Sequence, residues 1–356
     1  LILTMKANQK YFPLLDAAGK LTNKFLVVSN ISPEDTSFVT GGNERVVRPR
    51  LADAKFFFDQ DRKKTLASRA RGLDKVVYHN QLGTQSERRL RVMRVARSIA
   101  EAVHRTSRWN DVVGAMEYES KVVSAADREQ IEAYADSHDR SPFKWKVEVS
   151  AFLAKADLLT DMVGEFPELQ GVMGRYYALN DCWSSDVANA IEDHYKPRFA
   201  GDDLPRGLVG LTVALADKLE TLAGMFSIGN DPTGDKDPFA LRRHALGMIR
   251  ILEQLRLDVD LSVLLSWVMR SVSNSGDVEP QNRLETFIFE RLRVSLREQG
   301  YSAQEVDAVL ALRPQRLALV EKQLAAVRAF ASLPEAPALA AANKRVGNIL
   351  KKAEVE

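Results

Sequence analysis

The residues best placed to do chemistry lie in Asp237-Pro238-Phe239-Ala240-Leu241-Arg242-Arg243. Asp is a favourable helix N-cap and Pro suits the first helical position. The spacing therefore predicts a helix that starts here, with Arg242 and Arg243 near its positive end. Free backbone amides and two guanidiniums could grip a phosphate there. The alternative is that both arginines pair with neighbouring carboxylates. A second basic run, Asn343-Lys344-Arg345 continuing to Lys351-Lys352, suits contacts to a nucleic-acid backbone, or else a solvated helix face with cations at its C-terminus. Two acids interrupt apolar helical stripes: Asp157 in Lys155-Ala156-Asp157, and Asp217 in Leu215-Ala216-Asp217-Lys218-Leu219. A buried carboxylate must be paired, hydrogen-bonded or protonated. The two acids are thus either remnants of a metal site or structural groups.

Other chemistries find little support. The sequence holds no phosphate-cradling Gly-Lys-Ser/Thr loop, no dinucleotide glycine fingerprint and no Cys-x-x-Cys pair. The histidines, His79, His104, His138, His194 and His244, show no close metal-ligand spacing. No Gly-x-Ser-x-Gly nucleophile elbow is present.

Basic and acidic residues nearly cancel, 50 against 48, for a net charge of +2, so any basic surface must be local. A chain of 356 residues suggests about two domains, and 45% hydrophobic content is enough for real cores. The single cysteine, Cys182, rules out an internal disulfide and favours a reducing compartment. No apolar run approaches the ~20 residues that span a bilayer. The opening Leu1-Ile2-Leu3-Thr4-Met5 reads as a strand cut in mid-sheet, without a secretory pattern, and the chain is expected to be a piece of something longer.

The elements that must position these groups are mostly helices. Residues up to about Asn30 read as β, with Asp16-Ala17-Ala18-Gly19 as a turn and Lys24 to Ser29 as a strand. After Gly41-Gly42 the period becomes helical through Val47, Leu51, Ala54 and Phe58, with Pro49 as a kink or first turn. Four further stripes follow: Val92-Ala96-Ile99-Val103, Phe152-Ala156-Leu159-Val163, Leu208-Leu215-Leu219-Leu222-Phe226 and Leu241-Ala245-Met248-Leu252-Leu255. Ser271 to Pro280 reads as a linker. Beyond it, Ser302 and Glu305 form a capping box, Arg313-Pro314 ends a helix, and Leu317, Leu324, Val327 and Ala331 mark one more.

Several strings, in order along nearly the whole chain, resemble the β subunit of bacterial two-subunit glycyl-tRNA synthetase. They are Asn8 to Leu14, Gly42 to Ala54, Lys155 to Leu158, Met162 to Gly171, Pro197 to Gly201, Asp237 to Arg243 and Ala341 to Arg345. The resemblance implies a mainly α chain. Residues 1–55 would end a β-rich N-terminal region. Residues 56–272 would form an HD-like helical domain, similar to HD-type phosphohydrolases, with 105–146 as an insertion. Residues 273–356 would begin a DALR-type anticodon-binding domain. Ala156-Asp157 then resembles the His-Asp pair of HD enzymes and Asp217 their final acid. Because Ala156 cannot ligate, no metal and no catalytic residue are expected. The resemblance also raises Arg242, Arg243, Arg313, Arg316, Lys344 and Arg345 as tRNA contacts. It implies a cytoplasmic, non-catalytic platform for tRNA-Gly, within a glycine–tRNA ligase whose separate α subunit binds ATP and magnesium. The alternatives are a metal-dependent HD phosphohydrolase, with His79 or His104 completing a shell on Asp157 and Asp217, and a structural scaffold for docking the α subunit.

Overall fold

The computed structural model describes Ile2, Met5 and residues 11–105, 141–273 and 277–353. Of the segment read as an insertion, residues 106–140 lie outside the described residues. The β expectation holds in part: β1 (Phe12–Leu15) pairs antiparallel with β2 (Leu21–Leu26), so the strand expected over Lys24 to Ser29 starts and ends earlier, and Ile2 and Met5 of the opening segment are helical rather than extended. The Asp16 carboxylate accepts the amides of Ala18 and Lys20, and Gly19 turns the chain at φ 76°. Such a positive φ costs glycine little.

Helices dominate the rest. α1 (Ser37–Asp61) begins four residues before Gly41 and runs through Gly41, Gly42 and Pro49. The glycines thus do not mark its start, as the sequence pattern predicted. A Cβ at either would meet nothing within 4 Å, so this turn of α1 faces open space. Next come α2 (Leu66–Ala70), a second two-stranded hairpin of β3 (Val77–His79) and β4 (Gly83–Thr84), and α3 (Gln85–Arg105). The hairpin was not legible as β, because it is so short that no alternation develops. Val92, Ala96, Ile99 and Val103 are buried on α3, as their spacing predicts.

The Phe152-to-Val163 stripe is not one helix. α4 (Pro142–Leu153) stops, Lys155 turns left-handed at φ 66°, a 3-10 turn spans Ala156–Leu159, and α5 (Asp161–Glu165) follows. Phe152, Ala156 and Val163 are nonetheless buried, so the apolar spacing survives the break. α6 (Val172–Asn180) packs on α7 (Ser185–Asp193), which also packs on α4, and α4 packs on α3. The buried Asp61 carboxylate ties this region together. It accepts the amides of Asp161 and Met162 at 3.0 Å, the Tyr177 hydroxyl at 2.9 Å and the Arg69 guanidinium at 3.0 Å.

Packing divides the chain into two compact units, Leu1–Glu220 and Thr221–Glu356, and the division falls inside α8 (Gly207–Ser227). In the second unit, α11 (Glu279–Glu298) packs against α9 (Leu241–Leu255), α10 (Leu261–Val272) and α12 (Ala303–Leu310), burying Leu284, Ile288, Leu292 and Leu296. Of the linker expected over Ser271 to Pro280, Ser271 and Val272 end α10, Glu279 and Pro280 open α11, and residues 274–276 lie outside the described residues. The Ser302–Glu305 capping box forms as the sequence predicts. α13 (Val320–Ala331) and α14 (Ala336–Ala353) complete the order. Among the described residues, no helix is long and apolar enough to cross a membrane.

Candidate functional site

The first unit gathers its ionisable groups around the left-handed turn after α4. Asp157 is fully buried at the start of the 3-10 turn. Its Oδ2 accepts the amides of Gly171 (2.5 Å) and Gly174 (3.2 Å), while Oδ1 is buried without a partner. Burial pushes its pKa up, against the pull of those amides. The close approach depends on glycine: a Cβ on Gly174 would lie 2.7 Å from Ile191 Cγ2 and 3.1 Å from Asp157 Oδ2.

Asp217, on α8, answers a different set of cations. Its Oδ1 lies 3.1 Å from both Arg88 and the Lys155 ammonium. Arg88 and Arg91, from α3, each bond Glu220 at 2.8 Å. Burial alone would lower the pKa of Arg88, but Asp217, Tyr78 and Glu220 outweigh it, and the guanidinium stays charged. Lys155 also sits 2.9 Å from His194 Nε2 and 4.4 Å from the centre of the Tyr195 ring, in the field of Asp157. Burial pushes the ammonium down to about 8 against the pull of Asp217.

His194 has one possible tautomer in this setting. Its Nδ1 lies 2.6 Å from the Ile191 carbonyl, which can only accept, so Nδ1 carries the proton. Nε2 therefore offers its lone pair to the Lys155 ammonium. Burial, with the Lys155 charge second, pushes this imidazole down to about 3.

The site was expected to lack imidazole, or to recruit His79 or His104. His79 instead accepts the Gln81 amide beyond β3, and His104 is exposed near the end of α3. The imidazole present is His194. Among the described residues, no three His, Cys, Asp or Glu side chains are grouped to hold a metal ion. The cation shared by His194 and Asp217 is a tethered ammonium, so the geometry gives a neutralised, structural ion network. Lys155, His194, Arg88 and Glu220 were missed because their partners come from distant segments. A lysine next to Ala156-Asp157 was the only local signal.

The second unit places the other candidates. α9 begins at Leu241, with Ala240 left-handed at its N-cap, later than the Asp237-Pro238 pattern predicts. Asp237 still caps the helix: its carboxylate accepts the amides of Leu241 (2.7 Å) and Arg242 (3.0 Å). The amides expected to receive a phosphate are thus already taken by a carboxylate. Arg242 bonds the Gly234 carbonyl, and Arg243 is exposed. Arg313 pairs with Glu285 (3.3 Å) and lies over the Phe289 ring, while Arg316 pairs with Asp258 (2.7 Å) and Asp260 (3.3 Å). Arg345 is exposed on α14, and Lys344 lies on the same helix.

Comparison with known proteins gives this geometry its context. A family model described as glycyl-tRNA synthetase beta subunit matches residues 1–311. The chain is similar to the glycine–tRNA ligase beta subunit of Polaromonas naphthalenivorans, 64% identical over 356 residues, which is 100% of this chain and 45% of that protein. It is likewise similar to the beta subunits of Delftia acidovorans, 65% identical over 99% of this chain and 45% of that protein, and of Thiobacillus denitrificans, 63% identical over 100% of this chain and 46% of that protein. The chain thus spans just under half the length of the relatives it matches.

Proposed function

Because the chain belongs to the glycyl-tRNA synthetase β-subunit family, we propose that it is a non-catalytic, tRNA-binding part of a heteromeric glycine–tRNA ligase. In this reading it positions tRNA-Gly for ATP-dependent aminoacylation by an α subunit, which holds ATP and magnesium. In this reading residues 56–272 keep an HD-like helical scaffold without its chemistry, and residues 273–356 begin a DALR-type anticodon-binding domain. The cytoplasm is the compartment this role requires. The observation that carries the reading is the match along the whole chain at more than 60% identity.

The residues offered to tRNA are Arg243, Lys344 and Arg345, with Arg242, Arg313 and Arg316 in support. Arg313 and Arg316 are half-exposed, and each guanidinium has five donors, so an internal acid leaves N–H groups for a phosphate. Phosphate contacts would fix the register of the RNA, and stacking and edge hydrogen bonds would read unpaired anticodon bases. The metal-dependent hydrolase alternative has no support in the comparisons, and Asp217, one of the two acids it would need, is paired with the Lys155 ammonium.

The test is a charge-removal series at Arg243, Lys344 and Arg345 in the intact heteromer. The reading expects weaker tRNA binding and slower aminoacyl transfer, with glycine-dependent ATP–pyrophosphate exchange unchanged. Unaltered tRNA affinity in all three variants would overturn these contacts, and would favour a scaffold that docks the α subunit.

A further inference from the structure

The run Pro197-Arg198-Phe199-Ala200-Gly201 takes no part in the buried ion network or among the cations of the second unit, yet it is held firmly at both ends. On the near side, Lys218 is buried on α8 and donates to the carbonyls of Tyr195 (3.4 Å) and Pro197 (3.2 Å). The Tyr195 ring stacks at 3.9 Å on the His194 ring, with the Lys155 ammonium 4.4 Å from its centre. On the far side the chain closes a tight turn. The Asp202 amide donates to the Phe199 carbonyl at 3.2 Å, and Gly201 takes the third position at φ 82°, which favours glycine. The buried Asp202 carboxylate then accepts the amides of Arg198 (2.7 Å) and Asp203 (3.0 Å).

This fixed backbone presents an aromatic ring to solvent. Phe199 is 58% exposed. The Arg198 side chain is 53% exposed, and its Nε lies 3.5 Å from Asp202, a contact that leaves the terminal N–H groups of the fork uncommitted. From Tyr195 to Arg206, Phe199 is the one large apolar side chain that is exposed, since Pro197 and Pro205 are buried and Leu204 is half-buried. The core of a protein interface needs apolar groups side by side, which this loop does not offer. Nor is it a general polyanion surface. From Glu192 to Arg206 the acids Glu192, Asp193, Asp202 and Asp203 outnumber the cations Lys196, Arg198 and Arg206, so the ring must carry any contact.

We propose that this turn holds one unpaired nucleotide of the tRNA, with the base stacked on Phe199 and its phosphate on the Arg198 fork. Every base has a π-face that an aromatic side chain can cover, and only an unpaired base leaves that face free. A guanidinium suits the accompanying phosphate oxygens. The loop is already ordered, so binding need not freeze it. The inference rests on the tRNA-platform reading above and adds a stacking contact in the first unit.

The test measures tRNA-Gly affinity of the intact heteromer across a salt series, with thermal unfolding and glycine-dependent ATP–pyrophosphate exchange as controls. The variants are F199A, F199L, which keeps apolar bulk without a π-face, F199W, which keeps the π-face, and R198Q. The proposal expects F199A and F199L each to weaken tRNA binding on the order of tenfold with the salt slope unchanged, because no charge is removed. F199W should bind like the parent, and R198Q should lower the slope of log K against log salt by about 1. Both controls should stay at the parent values. If the parent binds and F199A matches it, the stacking site is overturned while the platform reading stands. If F199L matches the parent where F199A does not, the ring packs as bulk apolar surface and the proposal falls. If F199A loses subunit assembly but keeps its tRNA affinity, the turn is a protein contact and the proposal falls. If the parent itself binds no tRNA at low salt, both readings fall.

Discussion

At Lys155 one ammonium joins three segments: the turn after α4, the end of α7 through His194, and α8 through Asp217. Removing one partner of a buried ion pair strands the other. Lys155→Met should therefore destabilise the fold by about 3 kcal/mol in chemical denaturation. A larger Asp217→Asn loss would be no contradiction, but a neutral Lys155→Met would be. His194 gives a pH test with a fixed sign. Its pKa is depressed in the folded state, to about 3, against about 6.5 unfolded. Its contribution is present above pH 6.5 and is lost as pH falls through that window, because only the unfolded chain binds the proton. Stability should fall by about 1.4 kcal/mol per pH unit from this group, and His194→Gln should flatten that part of the acid limb. Asp157 and Asp217 were legible in the sequence, because a charge inside an apolar stripe is conspicuous. Their partners were not, because Lys155, Arg88 and His194 meet them only after folding.

The helices follow from periodicity, and their ends follow from local chemistry that is harder to read. Stripes such as Val92-Ala96-Ile99-Val103 and Leu241-Ala245-Met248 predicted buried faces that the structure bears out. The same rule joined Phe152 to Val163 across a break, since burial preserves the spacing while Lys155 turns left-handed between two elements. Where α6 meets α7, Gly174→Ala should cost about 1–3 kcal/mol, because the new methyl would press on Ile191 Cγ2 and on Asp157. Equilibrium unfolding of that variant would show it, and an unchanged midpoint would mean that Ile191 moves aside freely. At the head of α9, Asp237→Ala should cost ~1 kcal/mol by removing the cap on Leu241 and Arg242. It should also leave those amides free for an anion, so tRNA affinity should not fall.

For the molecule as a whole, a net charge of +2 means that any affinity for RNA must come from placement and not from total charge. Among the described residues, the exposed arginines without an internal partner are Arg45, Arg48, Arg50 and Arg94 in the first unit and Arg243, Arg256, Arg270 and Arg345 in the second. Membership of the family was legible from ordered strings of residues, whereas which arginines are already spent on internal acids required coordinates. On the proposed function, this chain handles tRNA. The most direct measurement is equilibrium binding of the intact protein to tRNA-Gly and to a non-cognate tRNA from about 50 to 200 mM salt, a range over which several phosphate contacts change affinity strongly. The account predicts binding that weakens steeply with salt and prefers tRNA-Gly. Absence of binding to either tRNA at the lowest salt would contradict it.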